Sequence, residues 1–210
     1  YIQSQKIQIT NNSFGVNKRV MARPMAELHR QFLGRYPTVN ELKELVEFFM
    51  NKADANTKQF TASAPETLFV IAAGNEANNN DDIPTVPANA NTTNSITVAA
   101  TLSNVSIARF SNYGGSTVEI AAPGVGLKST APGNNEMFMN GTSQASPFVA
   151  RVASRMLDIN PKLKPHDIKK LLMKTVDFKG FLRGKVVSGG VINPQRAEKA
   201  AQLSVDLDLN

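Results

Sequence analysis

The residues best equipped for chemistry stand together in Asn140-Gly141-Thr142-Ser143-Gln144-Ala145-Ser146-Pro147-Phe148-Val149-Ala150. A small, turn-prone Gly-Thr-Ser opens an apolar run that reads as a helix, so Ser143 falls at or near a helix N-terminus. Unpaired backbone N–H groups and the helix dipole favour developing negative charge at such a point. A serine placed there can attack a carbonyl while its own N–H steadies the oxyanion that forms. The same pattern also suits a plain N-cap serine, which does no chemistry. A second stretch bears on the choice: Leu68-Phe69-Val70-Ile71-Ala72-Ala73-Gly74-Asn75-Glu76. A continuous apolar run closing on Gly-Asn is what a buried parallel strand looks like, and this one ends in a side-chain amide able to donate a hydrogen bond.

Taken in this order, Ala72-Ala73-Gly74-Asn75 and Gly141-Thr142-Ser143-x-Ala145-Ser146-Pro147 resemble the subtilisin-like serine proteases. Other pieces follow that family's order: Ser95-Ile96-Thr97-Val98-Ala99-Ala100, Phe110-Ser111-Asn112-Tyr113-Gly114, Val118-Glu119-Ile120-Ala121-Ala122-Pro123-Gly124, Lys128-Ser129-Thr130 and Gly189-Gly190-Val191-Ile192-Asn193. With Ser13-Phe14-Gly15 as substrate strand, the resemblance spans 7–15 and 68–202, about two-thirds of the chain. It implies that Ser143 is the nucleophile and that Asn75 completes the oxyanion hole. It also implies that extended peptide substrates lie between Ser13, Phe14, Gly15 and the strand end Ala72, Ala73, Gly74, with main-chain hydrogen bonds supplying affinity.

The family's Asp-Thr/Ser-Gly and His-Gly-Thr/Ser motifs do not occur here. The two histidines, His29 and His166, lack the following Gly and read as surface positions on helices. Without a base, a serine hydroxyl stays protonated near neutral pH and is a poor nucleophile. Two explanations are open. The chain is the C-terminal portion of a longer peptidase whose Asp and His lie in an upstream segment, or it is a catalytically inactive subtilase-fold module that binds peptides or proteins. Tyr1-Ile2-Gln3-Ser4 has neither an initiator Met nor a signal peptide, and serine and asparagine are both intact. Both facts favour the first explanation. The resemblance implies a secreted or periplasmic setting.

The elements that must position these residues suit an α/β fold, a parallel sheet with helices on both faces, here lacking its N-terminal part. Strands are expected near Ile7–Asn11, Leu68–Ala72, Ser95–Ala99 and Val118–Ile120, and helices at Ser143–Asp158, Pro165–Lys174 and Pro194–Gln202. Residues 102–110 and 137–140 read as edge or loop pieces. The whole of 1–210 reads as part of one peptidase domain, interrupted at about 16–67 by a helical insertion that the resemblance does not predict. There Thr38-Val39-Asn40-Glu41 forms a capping box ahead of Leu42, Leu45, Val46 and Phe49 at helical spacing. An earlier helix is expected over Met25–Leu33, and 54–67 reads as a polar loop.

Composition excludes several alternatives. At 41% hydrophobic and 19% charged residues, the 210-residue chain is ordinary for a globular protein. It has no cysteine for disulfides or thiolate metal sites, and no apolar run long enough to cross a membrane. No membrane partner is therefore expected. A net charge of +6 suggests nucleic acid, but the basic residues are scattered and no aromatics interleave them. No Gly-rich phosphate loop supports a nucleotide site.

Two finer expectations concern the loop after Asn75. If Ile83-Pro84 aligns with the family's aromatic-Pro step, Asp82 falls at the base of the specificity pocket and Glu76 at its rim, favouring basic side chains before the cleaved bond. No cofactor is required for the chemistry. A structural calcium is left open: Asn78-Asn79-Asn80-Asp81-Asp82 offers oxygen ligands without a recognisable ligand spacing and reads first as a solvated loop.

Overall fold

A computed structural model of the chain describes residues 1–206. Its frame is a seven-stranded, mainly parallel sheet. In spatial order the strands are β1 (Ile9–Asn12), β3 (Leu68–Ala72), β5 (Ser95–Leu102), β7 (Ile120–Pro123), β11 (Gly190–Val191) and β10 (Asp177–Phe178). β1, β3, β5, β7 and β11 run parallel, whereas β10 closes one edge antiparallel and the short β6 (Ser106–Ile107) pairs antiparallel with β5. Every residue of β3 is buried, as its unbroken apolar run requires.

Alternate residues of β3 serve two different cores. Leu68 and Val70 face the larger one, with Ile96, Val98 and Ile120. Into it packs α3 (Thr142–Ile159), which buries Ala145, Val149, Val152, Ala153 and Met156 at helical spacing. Burying one such side chain contributes about 1.5–3 kcal/mol. Arg151 and Arg155 lie on the opposite, exposed side of α3, and Arg155 pairs with Asp158 at 3.3 Å. α5 (Pro194–Asp206) packs against α3, and α4 (Pro165–Lys174) buries Ile168 and Leu172 in the same core.

On the other face, Phe69 and Ile71 cluster with Ala64 and Ala88, with Ile2 at the margin and the Phe60 ring edge-on to Phe69 at 5.5 Å. A hollow of about 280 Å³ remains between that face and the helix α2 (Val39–Ser63), lined by Phe14, Phe60, Phe69, Ile71 and Pro87 among others.

The insertion is a helical hairpin of α1 (Lys18–Leu33) and α2 (Val39–Ser63). α1 begins seven residues before the expected Met25. Asn17 caps it, its side chain accepting from the N–H groups of Arg19 and Val20, and Pro24 is accommodated within the helix. The expected loop over 54–67 is mostly helix, since α2 continues to Ser63. That segment is polar but meets no Gly or Pro before Pro65. The Thr57 and Thr61 hydroxyls bond back to helix carbonyls, and Asn94 donates to Thr61, Ala64 and Thr67 carbonyls at the helix end. Residues 127–139, read only in part as a loop, form a hairpin of β8 (Leu127–Ala131) and β9 (Asn135–Met139). The β7 ladder starts at Ile120, two residues after the expected Val118, whose N–H is spent on the Gly114 carbonyl.

Candidate active site

Two connections bring distant segments to one place. β3 ends at Ala72, and the chain turns sharply through Gly74, whose φ is +110°. A side chain is excluded there, because a Cβ would sit 2.2 Å from Asn112 Nδ2 and 2.7 Å from Glu76 Oε2. Glycine serves this turn by making room for Asn112 below it. α3 starts at Thr142 behind Gly141, without a side-chain cap. Ser143 is thus the second residue of the helix and half-buried, as expected.

Thr142 ties the two turns together. Its N–H donates to Asn75 Oδ1 at 2.9 Å and its hydroxyl donates to the same oxygen at 3.0 Å. The Gly74 N–H in turn donates to the Thr142 hydroxyl oxygen at 3.2 Å. With its oxygen held, the Asn75 amide presents Nδ2 outward. The spot a Cβ on Gly141 would fill lies 3.5 Å from the Ser143 backbone N and 3.7 Å from Asn75 Nδ2. Neither nitrogen has a protein acceptor among the described residues. Gln144 Oε1 lies 2.6 Å from the same spot.

The segment between β1 and the short β2 (Val16–Asn17) forms the other wall. Ser13 and Ser143 exchange bonds: the Ser13 hydroxyl donates to the Ser143 carbonyl at 3.0 Å, and Ser143 Oγ donates to the Ser13 carbonyl at 3.4 Å. β2 pairs antiparallel with β4 (Thr85–Val86). One turn into α3, the buried Ser146 hydroxyl donates to Asn11 Oδ1 at 2.7 Å, fastening α3 to β1. The resulting pocket, about 180 Å³, is lined by Ser13, Phe14, Gly15, Ala72, Gly74, Asn75, Glu76, Thr142 and Ser143.

Two expected members are elsewhere. Ala73 is fully buried and does not line the pocket. Its N–H goes to Val98, and its carbonyl accepts from Asn80 and Asn112, which leaves its main chain no role toward a substrate. Asp82 is exposed on the outer loop and accepts from Asn79 at 2.7 Å, so it is not the pocket base. Glu76 does line the pocket, and its Oε2 accepts from Asn112 at 2.7 Å.

The Asn78–Asp82 loop is also not simply solvated. Asn78 and Asn80 are buried, and the side-chain oxygens of Asn80, Asp81 and Asp82 accept from protein donors. Amides stitch this loop. Neither histidine lines the pocket: His29 Nδ1 is 2.9 Å from the Arg35 carbonyl, and His166 Nε2 is 3.1 Å from Asp167.

The sequence profile of the subtilase family matches residues 1–203. Alkaline elastase YaB of Bacillus sp. (strain YaB) is 37% identical over 138 residues, covering 66% of this chain and 34% of its own. Subtilisin BL of Lederbergia lenta is 33% identical over 139 residues, covering 66% of this chain and 49% of its own. The matched regions thus amount to between a third and a half of these relatives' length. Among solved structures, the prenylagaramide maturation protease PagA superposes with a TM-score of 0.66 at 19% identity, covering 95% of this chain and 64% of that one. The A-subunit of an AB5 toxin from E. coli gives 0.63 at 23% identity, with 93% and 60% covered. At those identities the likeness speaks for the fold.

Proposed function

The chain belongs to the subtilase family, and from that premise we propose that it carries the nucleophile, oxyanion donors and substrate strand of a serine endopeptidase. The observation behind this reading is that Ser143 and Asn75 line one pocket, with the Ser143 N and Asn75 Nδ2 both free of protein acceptors among the described residues. In the reaction Ser143 Oγ attacks the scissile carbonyl and its proton passes to an imidazole, since a serine hydroxyl needs a base. The carbonyl oxygen becomes an anion and takes hydrogen bonds from those two donors. Losing one such donor raises the barrier by about 2.7–4 kcal/mol, a figure established on a subtilisin asparagine rather than on this chain. The chemistry calls for no cofactor.

The imidazole and its orienting carboxylate come from a segment upstream of Tyr1. The thin second core face, with its hollow beside Phe14 and Phe60, leaves room for such a segment to pack. Substrate lies extended against Ser13, Phe14 and Gly15. Glu76, at the pocket rim, favours a basic residue before the cleaved bond through the attraction of opposite charges. Like the resemblance that led to it, this reading places the enzyme outside the cytoplasm.

A serine-directed phosphonate tests the proposal. The protein carrying its upstream sequence should be labelled at Ser143, and Ser143→Ala should abolish both labelling and turnover, whereas residues 1–210 alone should react very slowly. Brisk labelling of residues 1–210 alone would contradict an upstream base. The absence of a histidine from the pocket favours one other reading, an inactive peptide-binding module. Upstream sequence with neither an Asp-Thr/Ser-Gly nor a His-Gly-Thr/Ser would decide for it.

A further inference from the structure

Asn112 belongs to neither turn of the site, yet it touches almost every residue around Asn75. It lies between Ser111 and Tyr113, far along the chain from Asn75, and is fully buried. Its Oδ1 accepts from the N–H groups of Glu76 at 2.9 Å and Asn78 at 3.0 Å. Its Nδ2 donates to the Ala73 carbonyl at 3.1 Å, Glu76 Oε2 at 2.7 Å and Thr85 Oγ1 at 3.3 Å. Its own backbone N–H donates to the Gly74 carbonyl at 2.9 Å. One side-chain amide offers two N–H donors and two acceptor sites, so the group is saturated.

The placement of these bonds is informative. Residues 73, 74, 76 and 78 are each held, and Asn75 in their midst is not touched. β3 has ended at Ala72, and its neighbour β5 holds the first residue of this turn, the Val98 carbonyl accepting from the Ala73 N–H. Asn80 adds a second hold on the Ala73 carbonyl at 3.0 Å, whereas the Asn112 side chain reaches both sides of Asn75. The Asn75 side chain is fixed at its other end by Thr142.

We infer that Asn112 is the positioning residue for Asn75: it sets where the amide donor stands relative to Ser143 without contacting substrate. This rests on the peptidase reading for its catalytic consequence, though not for its structural one. A donor displaced by about an ångström loses on the order of a hundredfold in rate. An enzyme lacking Asn112 should therefore lose kcat and keep its KM, because ground-state contacts along Ser13–Gly15 remain.

Two measurements test it. The first is hydrogen exchange at the Thr142 amide in the 210-residue chain; this N–H touches Asn75 and not Asn112. Asn112→Ala should speed its exchange by roughly tenfold or more, with the amides of β5 and β7 unchanged. Asn94→Ala supplies the control. It removes another buried amide, one that holds three carbonyls at the end of α2. It should leave Thr142 protected. Unchanged Thr142 protection in Asn112→Ala, or equal loss in both variants, overturns the inference.

The second is a double-mutant cycle on peptide hydrolysis by the protein with its upstream sequence. If Asn112 acts through Asn75, Asn112→Ala lowers kcat roughly ten- to a hundredfold when Asn75 is present. In an Asn75→Ala background it should cost less than about threefold. Independent losses in the two backgrounds overturn the inference. A protein with all its segments and no peptidase activity would sink the proposed function, and the exchange result would then decide the positioning role alone.

Discussion

Replacing Gly74 by alanine puts the geometry of the turn to a quantitative test. At φ +110° an L-residue is strained, at a cost of about 1–3 kcal/mol. The added methyl meets Asn112 Nδ2 at 2.2 Å, Asn112 Cγ at 3.0 Å and Glu76 Oε2 at 2.7 Å. Glu76 is exposed and can swing away, but Asn112 is buried and bonded on all sides. Displacing it leaves the buried N–H of Asn78 without its acceptor, at about 1–3 kcal/mol. The total comes to roughly 2–6 kcal/mol, and for a chain of this size the midpoint should fall by roughly 4–24 °C. Gly34→Ala separates conformation from collision. Gly34 caps α1 at φ +70°, with nothing within 4 Å of its Cβ position. Its replacement should cost about 1–2 kcal/mol, a few degrees. Thermal melts of the two variants against the parent are the assay. A Gly74→Ala midpoint within about 3 °C of Gly34→Ala would refute the steric argument. Combining Gly74→Ala with Asn112→Ala should also cost less than the two single losses together, because the first change has already dislodged Asn112.

Three further outcomes follow from other parts of the structure. Lys169 bonds Glu119 at 2.7 Å, and Glu119, only 3% exposed, also accepts from the Thr97 N–H. Lys169→Met should destabilise by about 3–5 kcal/mol in denaturant melts, and adding Glu119→Gln should restore much of it. Arg35, together with the Thr38 N–H, holds the Glu41 carboxyl well below the usual carboxylate range, so its contribution is fully present above its unfolded pKa. That contribution is lost progressively as the pH falls from the unfolded pKa toward the depressed folded value. The midpoint gap between parent and Glu41→Gln should therefore shrink from pH 7 to pH 2, and a constant gap would contradict the pairing. In a peptide library, Glu76→Gln should weaken a preference for Lys or Arg before the cleaved bond whereas Asp82→Asn should not; no change in either argues against a carboxylate at the rim.

How much the sequence disclosed depended on how local the cause was. β3 and α4 were legible to the residue, because an unbroken apolar run and a Pro at the first helical turn act within their own segments. Ser143 and Asn75 were legible for the same reason, each sitting at the end of a short patterned stretch. The extension of α2 through residue 63 was not. Its polar residues resemble a loop, and the amide that receives its end, Asn94, is some thirty residues further on. Ala73 and Asp82 were assigned by register along a strand and a loop, whereas buried amides decide where their groups point. Asn112 was visible only as a letter in Phe110-Ser111-Asn112-Tyr113-Gly114. All its side-chain partners lie 27–39 residues earlier, and nothing in its own segment announces them.

The way Asn75 is tied down also bears on how the protein ages. Asparagine deamidates when the backbone nitrogen of the next residue closes on the side-chain carbonyl carbon. Here that nitrogen, on Glu76, is held by Asn112 Oδ1, and the carbonyl is held by both donors of Thr142. The nitrogen cannot turn onto that carbon without leaving Asn112 Oδ1. The product would be an aspartate whose negative oxygen stands where a donor is wanted, a loss of one N–H group that no later refolding repairs. The bonds that aim this amide therefore also keep it an amide over the protein's working life.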